Sequence, residues 1–460
     1  MTFHLRLRTA STGPVAALLG AGSALALAAL MTGCSTTATT SVAPATVALG
    51  SIQGVVHGGQ SPVTGSTVTA YAAGTTGYGS AARVLATAMT GAGGGFSLNA
   101  YATCAPTDQV YLVATGGNPG VAGTQNNSAL AMMAGLGLCG NLTATTNVVI
   151  NELTTVGAVW ALAPFMTSGT HVGTSATNAI GLTNAFNSIT LKMDNPSTGT
   201  VPSSFLNTNA VFPTAEVNTL ADILAACVNS VDTITPAAQS SNCQTIFSSA
   251  AVGGVAPTNT IQLALNLAQH PTLGLSLFSQ GSAGAPFQPT LGTTTAPTAW
   301  TIAISYNFNG LDTTPNVPKG IAIAPTGYVY SVGAGVTAGN AHTNTVMTIS
   351  GTGSVIETHQ PGTAVLNQPS ALAVDTMGNV WTADSGNNSM VEITEPAGTA
   401  TIHTLNGLSS PNAVAIDAAG NLWVTSAGNN SVSEFNSAGT AVGNFTSGIA
   451  APVAIAINPK

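Results

Sequence analysis

The chain has 460 residues, of which 45% are hydrophobic and only 4% charged, with six Lys and Arg against 14 Asp and Glu for a net charge of −8. That length holds several domains at roughly 100 to 200 residues each, and a chain so poor in cations cannot neutralise a run of phosphates, which excludes nucleic acid as a partner. With charge far below the usual fraction of about 25%, the surface must be built from Thr, Ser, Asn and Gly, the composition of an exported protein.

At the N-terminus, Arg6 and Arg8 precede an apolar stretch from Val15 to Met31, the length and pattern of a secretory signal. It runs into Leu30-Met-Thr-Gly-Cys34-Ser, which resembles a bacterial lipobox with Met31 where Leu is usual. The resemblance implies cleavage after Gly33, lipidation of Cys34 and, from Ser35, sorting to the outer membrane. Residues 1–33 are then the signal, and 34–50, rich in Thr, Ser, Ala and Val, a flexible tether. Loss of the signal leaves Arg83, Lys192, Lys319 and Lys460 as the basic side chains. So few ionisable groups predict tolerance of acid.

Residues 51–120 are turn-rich and alternating, as in Ser66-Thr-Val-Thr-Ala-Tyr71, which predicts the strands of a small sandwich. Gly54-Val-Val-His57, then Pro62-Val-x-Gly-x-x-Val68-x-Ala-Tyr71, then Gly94-Gly-Phe96-Ser-Leu98 resemble the carboxypeptidase regulatory-like (prealbumin-like) domains. That resemblance implies a fold and no chemistry. His57, a lone imidazole beside a Gly-Gly turn, reads as a solvated or strand-end residue.

From 126 to 296 the period changes to that of helices. Asn151–Leu162, Glu216–Val231 and Ile261–His270 each carry an apolar face, and Pro-, Thr- and Asn-rich connectors separate them. Glu152, Asp194, Glu216 and Asp222 are scattered singly and read as helix termini or solvated faces. With Cys34 lipidated, Cys104, Cys139, Cys227 and Cys243 remain. Of the three possible pairings, the simplest joins Cys104 to Cys139 and Cys227 to Cys243. Metal ligation is the rival, but no C-x-x-C spacing or nearby His supports it.

The segment 297–460 is repetitive. "GNVWTADSGNNS" at Gly378–Ser389 returns as "GNLWVTSAGNNS" at Gly420–Ser431, and the step of 42 residues also links Pro369 to Pro411 and Asp375 to Asp417. An earlier copy starts at Pro318 and a later one at Pro452. A period near 40 with short strands predicts propeller blades. The units resemble NHL-type repeats and the related streptogramin (virginiamycin B) lyases. Asp375 and Asp417 stand where a side chain caps the Gly-Asn turn. Asp384 faces Ser426 in the next copy, so the fold does not demand it, and it is the one weak candidate for a metal ligand.

The lyase resemblance implies a His base and a bound magnesium ion, yet His342, His359 and His403 do not fall on matching motif positions, so no catalytic residue and no cofactor is assigned. Two outcomes compete for the blades. Ala454–Asn458 closes a small ring with Trp300–Tyr306, or, as the break in the repeat favours, the propeller is incomplete or completed by a partner. The expected architecture is multidomain and mainly β: a small β-sandwich, an α-helical middle domain and C-terminal β-propeller blades. The expected role is a binding or scaffold module tied to the membrane by its lipid and recognising protein or glycan. The alternative is an extracellular lyase or hydrolase acting on a small substrate.

Overall fold

The computed structural model describes residues 46–98, 102–120, 126–142, 146–202, 210–230, 241–306, 317–334, 344–350, 355–359, 365–394, 399–403 and 407–457. Cys34 and its lipobox, the first part of the tether, His342 and Asn458 lie outside them.

The first body contains β1 (Ile52–Gly58), β2 (Thr67–Ala72), β3 (Arg83–Met89), β4 (Gly95–Leu98), β5 (Gln109–Thr115), β6 (Ala131–Leu138) and β7 (Thr146–Ile150). One sheet has the order β3-β2-β5-β6, all antiparallel. In the smaller sheet β1 is central, antiparallel to β4 and parallel to β7. The two neighbours approach so closely at Gly54 that a Cβ there would lie 2.0 Å from the Val148 carbonyl oxygen.

The larger sheet is covered on both sides. Val110, Leu112 and Ala114 of β5 pack on the smaller sheet, while Tyr111 and Val113 point the other way into a core shared with the helices. Strands β6 and β7 fall inside the stretch expected to be helical, and for β6 the reason is this double coverage. Leu130–Leu138 is apolar at every position, so it lacks the alternation that marks a strand with one wet face.

The helical layer comprises α1 (Glu152–Leu162), α2 (Ala179–Ser188), α3 (Thr214–Val228), α4 (Ser241–Ser249) and α5 (Thr260–Gln269). Helix α1 begins with a capping box: the Asn151 side chain accepts the Thr154 N–H at 3.0 Å, and the Thr154 hydroxyl accepts the Asn151 N–H at 3.0 Å. The far end of α3 is satisfied by a distant residue. Buried Asn127 donates its side-chain amide to the carbonyls of Cys227, Val228 and Ser230 at 2.8, 2.9 and 3.2 Å.

Both disulfides form, Cys104–Cys139 and Cys227–Cys243, with Cα separations of 6.3 and 4.7 Å. The second ties the end of α3 to α4 across a sequence separation of 16. Opening it in a Cys227→Ser/Cys243→Ser variant is expected to cost about 3 kcal/mol by the loop-entropy relation. A fall in the thermal midpoint of the helical signal measures it.

Three four-stranded antiparallel sheets follow. The first blade has strands Val317–Ile323, Val329–Ala334, Asn344–Ile349 and Val355–His359. The second has Pro369–Val374, Val380–Asp384, Ser389–Thr394 and Thr399–His403. The third has Pro411–Ile416, Leu422–Ser426, Ser431–Phe435 and Ala441–Phe445. First strands of successive blades pack on one another, which makes them the inner strands and the fourth strands the outer ones. Separate apolar cores fill the two junctions between blades. Among the described residues, 454–457 do not pair with Trp300–Tyr306; Ser305–Tyr306 pairs instead with Ala210–Val211.

Candidate functional site

At one end of the second blade, Asp375 organises the turn between the first two strands. Its Oδ1 accepts the N–H groups of Met377 and Asn379 at 2.9 Å each. Its Oδ2 accepts the Asn379 amide at 3.0 Å and the Trp381 indole N–H at 3.2 Å. Asp417 repeats the set with Ala419, Asn421 and Trp423, and the Asn421 N–H is foremost in holding its carboxyl below the usual carboxylate range. The following glycines, Gly378 and Gly420, take φ of 94° and 83°, a region only glycine adopts without strain. Replacing Asp375 by Ala orphans four donors and is expected to lower blade stability by about 2 kcal/mol in calorimetry.

The Gly-Asn-Asn turn at the opposite end of the second strand does different work. The residues leading into the inner strands, Gln368, Ser410 and Ala451, are left-handed, with φ of 50°, 45° and 40°. Each of their N–H groups is accepted by an Asn of the preceding blade: Asn344 takes Gln368 at 2.8 Å, Asn388 takes Ser410 at 2.7 Å and Asn430 takes Ala451 at 2.7 Å. A left-handed residue costs about 1 to 2 kcal/mol, and this bond offsets a similar amount. The repeat therefore encodes an amide clasp between blades.

Asp384 sits in this rim, wholly buried. Its Oδ1 accepts the Asn367 N–H at 2.8 Å and its Oδ2 the Asn387 side-chain amide at 2.9 Å. Burial outweighs these bonds and pushes the carboxyl up to about 6. In the third blade Ser426 takes the same place, buried, with no hydrogen bond to its hydroxyl. Asp384 thus fastens the segment leading into its own blade. Among the described residues no group of three or more His, Cys, Asp or Glu side chains is arranged around a common point to hold a metal ion.

The histidines lie elsewhere. His359 and His403 are on outer strands, where His403 meets Glu392 at 3.1 Å and packs on the Trp381 ring at a centroid distance of 5.0 Å. In the first body, His57 is half-buried on β1, and desolvation lowers its pKa.

Sequence reasoning missed a set of buried carboxyl groups there. Glu152, Asp194 and Asp222 are 0%, 1% and 2% exposed, so none is a solvated face. Both Glu152 oxygens accept the Gly59 N–H, at 2.9 and 3.0 Å, yet burial raises the group to about 8. Asp222 accepts the Phe287 N–H at 3.0 Å and is raised to about 7, again by burial. Asp194 makes no hydrogen bond through either oxygen, and burial holds it well above its ordinary value. The signal was the scarcity of Lys and Arg. With almost no counter-ions in the chain, a buried carboxyl stays protonated.

The Asp-capped turn, the Gly-Asn-Asn clasp and the four-stranded sheets define the C-terminal region as an array of propeller blades. Residues 366–392 match the family model of the NHL repeat. No curated protein matches the chain. Among solved structures, virginiamycin B lyase from Staphylococcus aureus is similar at 21% identity over 29% of this chain and 42% of that one, with a TM-score of 0.24. A nidogen/laminin complex is similar at 18% identity over 30% of this chain and 52% of that one, with a TM-score of 0.25. Hydrazine synthase from Kuenenia stuttgartiensis follows at 16% identity, 31% and 39% coverage and a TM-score of 0.26. The chain spans about half or less of the length of these structures.

Proposed function

We propose that this chain is an envelope-anchored lipoprotein whose blades form a binding module for uncharged, hydroxyl-rich ligands such as glycans. The carrying observation is the rim at the Gly-Asn-Asn turns, where exposed Gln368, Asn388, Ser410, Asn429 and Asn430 present amides and hydroxyls on backbone fixed by the clasps. Preorganised neutral donors and acceptors suit sugar hydroxyls, because little entropy is lost on ordering them. Two titratable side chains of the second blade are engaged within it: Asp384 with Asn367 and Asn387, and His403 with Glu392 and Trp381. The two disulfides support an oxidising compartment.

Titration calorimetry with neutral envelope-glycan fragments is expected to show saturable binding that Gln368→Ala, which keeps the clasped backbone N–H, weakens about tenfold, the loss of roughly one hydrogen bond. No binding to any glycan, together with linear product from quinupristin in the presence of magnesium, would transfer the assignment to a lyase. Anchoring is tested separately by fatty-acid incorporation, which Cys34→Ala should abolish.

A further inference from the structure

Four segments share one pattern: Pro318-Lys-Gly-Ile-Ala-Ile323, Pro369-Ser-Ala-Leu-Ala-Val374, Pro411-Asn-Ala-Val-Ala-Ile416 and Pro452-Val-Ala-Ile-Ala-Ile457. The middle two show what the pattern is for. Leu372 and Val374 share one apolar cluster with Ala322 and Ala324 of the first blade, and Val414 and Ile416 share another with Ala371 of the second. Each junction is thus a ridge of two large aliphatic side chains on a shelf of small ones. A Cβ on Gly320 would sit 3.1 Å from the Ala371 Cα, so the inner strands approach closely at this level.

The fourth segment is already seated by the same contacts. Asn412 donates to the Pro452 carbonyl at 2.7 Å, as Ser370 donates to that of Pro411 at 2.7 Å, and the Asn430 clasp holds Ala451. Its ridge residues, Ile455 and Ile457, are half-buried, while its shelf residues, Ala454 and Ala456, are exposed. At the other end of the array no described residue covers the ridge. Ile321 and Ile323 are 71% and 68% exposed, against 7% for their counterpart Leu372. Val453, 76% exposed, replaces the polar residue that links the other junctions and extends the apolar shelf.

We propose that a second copy of this chain covers both exposed faces: the Ile321/Ile323 ridge of one copy docks on the Ala454/Ala456 shelf of the other, and reciprocally. The interface continues the two blade junctions already built, with the same ridge-and-shelf chemistry. It is head-to-tail, and two such contacts related by a two-fold axis close the pair. The joined arcs stay within the roughly four to eight blades that propellers span. The docking is independent of what the rim binds, so its failure leaves the binding reading standing.

Sedimentation velocity of the full-length chain in detergent tests it. The expected result is a dimer in the wild type, and dissociation at least a hundredfold easier in Ile323→Asp, which places a charge in the apolar contact. Ala456→Asp should act alike from the other side. Both positions are exposed in the single chain, and circular dichroism checks that each variant folds. Mixing the two variants restores one intact ridge–shelf contact and hence a heterodimer, which a general loss of stability would not. A monomeric wild type, or a dimer indifferent to both substitutions, overturns the proposal.

Discussion

Lowering the pH from about 8 to about 5 is expected to stabilise the first body, the reverse of ordinary acid sensitivity. Glu152 titrates at about 8 in the fold against an ordinary 4.5, because burial penalises its charge. Over that window the folded chain holds a proton that the unfolded chain releases. The stabilisation is complete below about 4.5 and is lost as pH rises toward about 8. At 1.36 kcal/mol per unit the upper limit is about 5 kcal/mol. Asp222, raised to about 7 from 3.8, acts in the same direction, and its charge also raises Glu152, so the two contributions are coupled rather than additive. The five α-helices among the described residues lie between Glu152 and Gln269, so the urea midpoint of the helical signal reports this body. The wild type should lose midpoint between the acidic and the alkaline end of the window. Glu152→Gln keeps an acceptor for the Gly59 N–H and should lose much less. A wild type more stable at the alkaline end would show that the carboxyl is charged in the fold.

Trp381→Ala is expected to cost about 3 to 5 kcal/mol, the range for deleting a fully buried aromatic side chain. Its indole is 1% exposed and fills the junction between the second and third blades with Ala383, Met390, Leu408, Leu422 and Phe435. The deletion also removes the indole donor to Asp375. Trp423 occupies the same motif position but is only half-buried, with one ring face on Phe445 at 5.8 Å. Trp423→Ala should cost about half as much or less, since less area leaves water. Scanning calorimetry of the two variants ranks them, and equal losses would refute the role assigned to the junction.

The blades were the most legible part of the chain, because their defining features are local. Asp375, Gly378 and Trp381 act within one turn and one strand, so their spacing survives in the letters and repeats 42 residues on. The cysteine pairing was legible for a similar reason, each partner being the nearest in sequence. The clasp was less so. Asn388 appears in the repeat, but its partner Ser410 is 22 residues away and becomes visible only when one blade is laid beside the next. Strand β6 was read as part of a helical region because burial on both faces erased its period. The buried carboxyls were illegible for a stronger reason. Glu152 at the first turn of a helix looks like an ordinary dipole partner, and only the packing of the β1 turn over it, through Gly59 at a separation of 93, takes it out of water. Asp384 was singled out for differing in charge from its counterpart, and its oxygens accept the Asn367 N–H and the Asn387 amide.

The amide clasp also sets how the array comes apart. The three clasps run the same way, from an Asn at the start of the third strand of one blade to the residue leading into the next inner segment, so each unit is braced by the one before it. Coupling limited to neighbours makes the array a short one-dimensional lattice rather than a single all-or-none unit. In the third blade the tryptophan is half covered and the outer strand exposes Val442 and Phe445. Fraying should start there and travel back toward the first blade, and hydrogen exchange that quickens in the order first, second, third blade is its kinetic signature.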